Sequence, residues 1–227
     1  MCKKMRCLFA MVCLVLVAAC KPQVSVDIYS SDILEVAETG NLLEIPVRMG
    51  LPIQDGKACN EDQNKMLPAL QKNGKGVNFI SCKVLQGEMH DLLIVEMIAD
   101  IVKAPESGVA SIAGMFGVSV SQLDDGSILV NFLKSDKVDS AVSEIDKNYP
   151  YRTIELHDID LTIHLNNDLR KTIEFEIEGF FVDNNPVDEP AMFEVTHRGK
   201  IGIVPSNVKS QSFIKTGKAR FARLIAN

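Results

Sequence analysis

The 227-residue chain carries 24 basic and 30 acidic side chains, a net charge of −6, and that balance argues against a nucleic-acid partner, whose phosphates such a surface repels. Hydrophobic residues make up 46% but aromatics only 6%, and there is no Trp, so the expected core is aliphatic and β-branched. Lack of Trp also removes a common anchor for sugars and for protein hot spots, which argues against a carbohydrate-binding module.

The chain opens with MCKKMR, then the apolar stretch CLFAMVCLVLVAA, then Cys20. Positive charges, a short apolar region and small residues directly before a cysteine are the layout of a bacterial secretory signal that ends in a lipoprotein cleavage site. The tetrapeptide Val17-Ala18-Ala19-Cys20 resembles the lipobox of bacterial lipoproteins, whose cysteine is lipidated and becomes the first mature residue. A transmembrane helix is the competing reading. It needs about 20 apolar residues, whereas this run stops before Lys21-Pro22. Residues 1–19 therefore read as a signal peptide and Cys20 as a lipid anchor, stable once two or three acyl chains each add about 0.8 kcal/mol per buried CH₂. Lys21 in place of Asp resembles the outer-membrane sorting class, so the expected location is the outer membrane, facing the periplasm, with the inner membrane as the alternative. Cleavage takes away Lys3, Lys4 and Arg6 and no acid, leaving 21 basic against 30 acidic residues, a net of −9.

Cys2, Cys7 and Cys13 leave with the signal and Cys20 carries lipid, so Cys59 and Cys82 remain. A pair in an exported chain reads as a disulfide, because the compartment is oxidising. A redox or metal site would need CxxC-like neighbours, which are absent.

In chain order, Val24 to Tyr29 alternates as a strand. Ser30-Ser31-Asp32 offers N-cap oxygens with Glu35 placed for a capping box, which predicts a helix to Thr39 that Gly40-Asn41 ends. Leu43 to Ile53 reads as a strand whose Pro46 and Pro52 argue for an edge or bulged position. Glu61 to Lys72 has helical composition with Pro68 inside it, and Val77 to Leu85 follows as a strand. Asp91 to Lys103 is open between strand and buried helix, with strand favoured. After a Gly, Ala and Ser-rich run, Val118–Leu123 and Ser127–Leu133 form a hairpin around Asp124-Asp125-Gly126. Ser135 then opens an amphipathic helix to Lys147.

Asn148-Tyr149-Pro150 is the best boundary between an α+β part, residues 20–148, and a β-rich part, residues 149–227, with one continuous domain 20–227 as the alternative. In the second part Ile159, Leu161, Ile163 and Leu165 alternate, then Ile173, Phe175, Ile177 and Phe181. Pairing Ile163 with Ile173 makes these a hairpin. Phe193–His197 and Ile201–Pro205 suggest a second hairpin, and Arg220–Ile225 a closing strand. The fold class is α+β, a predominantly antiparallel sheet with two or three short helices and a C-terminal part made mostly of β-hairpins.

CKPQVSVD followed by SDILEVA, the Cys59 and Cys82 pair, LTIHLNND and FFVDNNPV together resemble, in that order, a family of small envelope lipoproteins of enteric bacteria and their phages or mobile elements. That family carries a domain of unknown function. The resemblance spans nearly the whole mature chain and implies an envelope lipoprotein; it carries over no catalytic residues.

The strongest polar constellation lies on the predicted C-terminal hairpin. Its outer face would carry Asp160, Thr162 and His164 on one strand and Glu174, Glu176 and Glu178 on the other, with Asp160 opposite Glu176. Like charges directly across strands cost up to about 1 kcal/mol, which a divalent cation or a basic partner would relieve. A solvated strand face is the plainer reading. His157 and His164 lie too far apart on an extended strand to share zinc unless a bulge folds the chain between Leu156 and Ile159, where the apolar phase slips. Within the Gly-rich run, Gly108, Gly114, Met115, Phe116 and Gly117 form a candidate interaction loop, or else a buried connection. SNVK, SFIK and KTG overlap within a dozen residues and do not reproduce the dispersed elements of penicillin-binding enzymes. With no catalytic motif, metal set or cofactor signature, the expectation is a non-enzymatic module that binds another envelope protein. A lipid or small apolar ligand carrier is the alternative, and a carboxylate hydrolase a third.

Overall fold

The computed structural model of the chain describes residues 21–53, 59–84, 91–105, 110–149 and 159–225. The elements are β1 (Gln23–Tyr29), α1 (Ser30–Thr39), β2 (Leu43–Ile53), α2 (Cys59–Asn73), β3 (Lys75–Lys83), β4 (Asp91–Lys103), β5 (Phe116–Gln122), β6 (Ile128–Lys134) and α3 (Asp136–Lys147). They continue with β7 (Asp160–Asn166), β8 (Ile173–Ile177), β9 (Phe180–Val182), β10 (Asn185–Val187), β11 (Ala191–Val195), β12 (Lys200–Pro205), α4 (Asn207–Thr216) and β13 (Lys218–Ile225). All the strands join one sheet in the order β10-β9-β12-β7-β1-β2-β4-β5-β6-β13-β8-β11, with β3 also beside β4. The class is α+β, mostly β, and the sheet curls into a nearly closed, barrel-like form. No described helix is long and apolar enough to cross a membrane.

Alternation explains why these segments extend and which way they face. Val24, Val26 and Ile28 of β1 and Leu161, Ile163 and Leu165 of β7 are buried, and the residues between them point outward. The two strands pair in parallel, whereas most of the sheet is antiparallel; β4 and β5 form a second parallel pair. Such pairing needs a long crossover, so a chain read by its turns alone gives no hint of it. Because β1 sits between β2 and β7 and β13 between β6 and β8, strands from both sides of residue 148 interleave in one sheet.

Several predicted elements stand as expected. β5 and β6 form the Asp-Gly hairpin, with Gly126 in the left-handed region at φ 81°. Segment 91–103 is a strand, and α3 begins after Ser135, whose side chain accepts from the Lys137 amide. Cys59, the first residue of α2, and Cys82 of β3 lie at disulfide distance with Cα atoms 6.1 Å apart. Closing a loop over a separation of 23 residues stabilises the fold by about 3 kcal/mol in the chain-entropy model. Reductant should therefore lower the melting temperature of the parent and leave a Cys59→Ser variant unmoved, as differential scanning fluorimetry would read.

Other expectations are corrected. β7 and β8 do not pair: β7 lies between β1 and β12, and β8 between β13 and β11. β11 and β12 likewise belong to opposite arms of the sheet. Alternation is identical for strands that are neighbours and for strands in opposite arms, so the register inferred from it had no anchor. The alternation also breaks at Gly179, φ 76°, after which Phe180 points in and Phe181 out. β2 is an interior strand, but its ladder with β1 covers Val47 to Gly50, the stretch between the two prolines.

The capping box of α1 is replaced by a tertiary cap. Its N-cap residue, Tyr29, makes no side-chain bond, and Asp168 from the far side of the chain accepts from the Ser31 amide at 3.0 Å. Burial and the charges of Asp168 and Glu35 push the Asp32 carboxyl up in that crowded turn. A fourth helix, α4, stands where overlapping SxxK-like strings were read. It is bounded by the Ser206 cap and by Gly217 at φ 69°.

Candidate functional site on the outer sheet face

On the outer face of the sheet, small residues fall in register across neighbouring strands. Gly50 of β2 lies opposite Gln23, Ser25 of β1 pairs with Arg48 and Thr162, and Gly202 of β12 pairs with His164. Side chains this short leave a depression, walled by Arg48, Ile94, His164 and Val204, with a volume of about 650 Å³. Asp160, Leu161 and Val204 also line a second groove of about 530 Å³ that runs to α4 and to Lys21.

His164, on the wall of the first groove, belongs to a small charge network that continues onto neighbouring strands. Asp27 accepts from Lys200 Nζ at 2.9 Å and Asn166 Nδ2 at 3.2 Å, and its Oδ1 is 3.5 Å from His164 Nδ1. Burial pushes the Asp27 carboxyl up, but the hydrogen bonds from Lys200 and Asn166 and the Lys200 charge together outweigh it and hold the group below the usual carboxylate range. His164 behaves oppositely. Burial and the Lys200 charge push its imidazole down, against the smaller pull of Asp27 and Asp183. Its Nδ1 is buried and makes no hydrogen bond of good geometry, consistent with a neutral ring.

The unfolded chain therefore takes up a proton on this histidine before the folded one does. Its contribution to stability is complete above about pH 6.5 and is lost as pH falls through that value toward the lower folded one. Parent and His164→Gln, compared in urea melts across that window, should differ by a gap that changes with pH; a constant gap would remove His164 from the titration.

Of the residues singled out in sequence, Asp160 and His164 line the groove. The glutamates lie in the other arm of the sheet, where β13 answers them: Arg223 Nη1 is 3.4 Å from Glu176 and Arg220 Nη2 is 3.3 Å from Glu178. Glu176 has Met192 and Arg223 as cross-strand neighbours, so the expected clash with Asp160 does not arise. Glu174 does face a like charge, Glu194. One continuous acidic face over Asp160, His164, Glu174, Glu176 and Glu178 is thus corrected to two separate patches.

The candidate interaction loop is corrected as well. Gly114, Met115, Phe116 and Gly117 are buried. A Cβ on Gly117 would lie 2.5 Å from Ile112 Cγ2 and 3.0 Å from the Asp100 carbonyl, so close approach accounts for that glycine. Gly108, Cys20 and His157 lie outside the described residues. Among the described residues, no three His, Cys, Asp or Glu side chains are grouped to hold a metal ion. Sequence reasoning missed Asp27, Arg48 and Lys200. Their signal is the outward phase of their strands, but only the parallel β1–β7 pairing sets Asp27 beside His164.

No curated protein and no solved structure matches the chain. The family described as a domain of unknown function, DUF7424, matches residues 22–226. Its match begins one residue before β1 and ends one residue after β13, so the chain belongs to that family across the whole of this sheet.

Proposed function

We propose that this chain is an envelope lipoprotein anchored through Cys20, whose folded part binds another envelope protein through the groove on the outer sheet face. The observation that carries the reading is where the molecule has room. Among the described residues the core is occupied by large side chains, with Phe116, Phe132, Phe175, Phe180, Phe213 and Phe221 almost wholly buried. The open volume lies outside, over Ser25, Gly50 and Thr162, rimmed by one arginine, one histidine and one aspartate. A carrier of apolar ligands would place its cargo where those phenylalanines stand, so the packed interior favours the interaction module. The acidic mature chain and the Cys59–Cys82 pair suit an exported, non-catalytic module.

Two measurements test the proposal. Cys20→Ser should accumulate as an unprocessed or mislocalised precursor; a variant of mature size that still fractionates with the membrane would remove the anchor. A photo-crosslinking residue at Thr162, in full-length protein in its native membrane, should capture one discrete envelope protein by mass spectrometry. Adducts with lipid alone would move the reading to the carrier.

A further inference from the structure

The acidic balance of the mature chain is not spread evenly. α4, sequence NVKSQSFIKT, holds Lys209 and Lys215 and no acid, and Val208 in its first turn is 78% exposed. Beside it, Phe181 turns outward at 38% exposure. The groove between them is lined by Lys21, Pro205, Asn207 and Gln211, with Asp160 as the acid among its described lining residues.

Lys21 directly follows Cys20, and β1 begins at Gln23. Pro22 is held in place, since its carbonyl accepts from the Asp160 amide at 2.9 Å. Three residues reach at most about 11 Å, so a lipid on Cys20 keeps the start of β1, and whatever surrounds Lys21, against the bilayer surface. We propose that α4 and the groove beside Lys21 form the membrane-facing surface of the protein, seated on the phosphate layer of the anionic leaflet that holds the anchor. Lys215 meets phosphates, with Lys209 beside it over the Phe180 ring, and Val208 and Phe181 enter the headgroup boundary, Asp160 being the acid among the described residues of the groove. This rests on the anchor reading above.

The opposite end of β1 supplies the control. Glu38, near the end of α1, is exposed and lies beside Ala37, whose carbonyl accepts from Lys103 at the end of β4. The run from Gln23 to Tyr29 sets that end about 20 Å from the anchor. Full-length lipidated protein is placed in vesicles of phosphatidylethanolamine and phosphatidylglycerol, with an environment-sensitive fluorophore at Val208→Cys or at Glu38→Cys. Quenching by headgroup-nitroxide lipid should be several-fold stronger at position 208 than at 38. It should weaken when Lys209 and Lys215 are both replaced by Gln, or when phosphatidylcholine replaces the anionic mixture. Equal quenching at the two positions, in protein that still floats with the vesicles, overturns the orientation and leaves the anchor intact. Protein that does not float overturns the anchor, and the orientation with it.

Discussion

Phe132→Ala is expected to lower the stability of the fold by about 3–5 kcal/mol, the range for removing a large aromatic side chain from a packed core. The ring is fully buried, stacked on Phe116 with centroids 5.7 Å apart and tilted against Phe213 at 5.6 Å. It thereby joins the β5–β6 hairpin to α4, an element far along the chain. Phe116 sits on the paired strand and Phe213 on the helix, each held by its own element, so the cavity can close only in part. The urea midpoint should fall with little change in slope. Phe132→Leu should recover much of the loss, since it restores apolar volume. A Phe132→Ala midpoint within about 0.5 kcal/mol of the parent, the spread of ordinary surface changes, would mean that α4 does not seal this side of the core.

Asn167 should prove nearly as sensitive, for a polar reason. It is a buried amide, 1% exposed, at the corner where the chain leaves β7 for β8. Its Nδ2 donates to the Lys171 carbonyl at 2.8 Å and the Val195 carbonyl at 2.7 Å, and its Oδ1 accepts from the Leu169 amide at 2.9 Å. Its own backbone joins the same knot, the amide donating to Gly199 and the carbonyl accepting from Arg198. Side chain and backbone of this one residue together tie the β7–β8 connection to the end of β11 and the β11–β12 turn, the two short crossings that draw the arms of the sheet together. Asn167→Ala removes the side-chain partner of the buried Val195 carbonyl and of the part-buried Lys171 carbonyl and Leu169 amide; with one of the three well buried, at about 1–3 kcal/mol, the expected loss is about 2–3 kcal/mol.

Asn167→Asp separates hydrogen bonding from volume. A carboxylate of the same shape donates nothing and faces two carbonyl oxygens, so at neutral pH it should destabilise as much as alanine. It should regain part of the loss on acidification, when the protonated carboxyl can donate once. Asn166→Ala, next along the chain but half-buried, should cost little. Equal midpoints for the 166 and 167 variants would dismiss the corner as a fastening point.

The acidic hairpin shows where legibility stopped. Ile159, Leu161, Ile163 and Leu165 were readable as an inward row, and they are buried. Ile173, Phe175 and Ile177 were readable in the same way and are buried too. What could not be read was that these rows lie in opposite arms of the sheet and not side by side. The five-residue connection after Asn167 is long enough to cross between arms, and the hydrogen bonds that make it cross come from residues as distant as Val195. Once the strands part, Glu176 finds Arg223 and His164 finds Asp27, and the shared acidic face has no basis.

The β5–β6 hairpin is the counterexample. Its partner was legible because Asp-Gly closes a tight turn that leaves the next strand one place to go. α3 was legible from its Ser135 cap and apolar stripe, and the end of α1 from Gly40. The capping of its start was not, since α1 begins at Ser30 as expected but a cap comes from Asp168, 137 residues away in sequence. α4 was hidden because its weak amphipathic pattern buries one large side chain, Phe213, and reads as loop without the strands beneath it.

By itself, then, the sequence determined what local chemistry dictates: the Cys59–Cys82 pair, the extended segments with their inward faces, the tight hairpin and the capped α3. The tertiary structure alone decided which strands are neighbours, and with that the groove, the Asp27–His164–Lys200 cluster and the arginines that answer the glutamates. The physical reason is that alternation records burial on one face of a strand, whereas lateral partners are chosen by connections and corner hydrogen bonds whose two ends lie far apart in the chain.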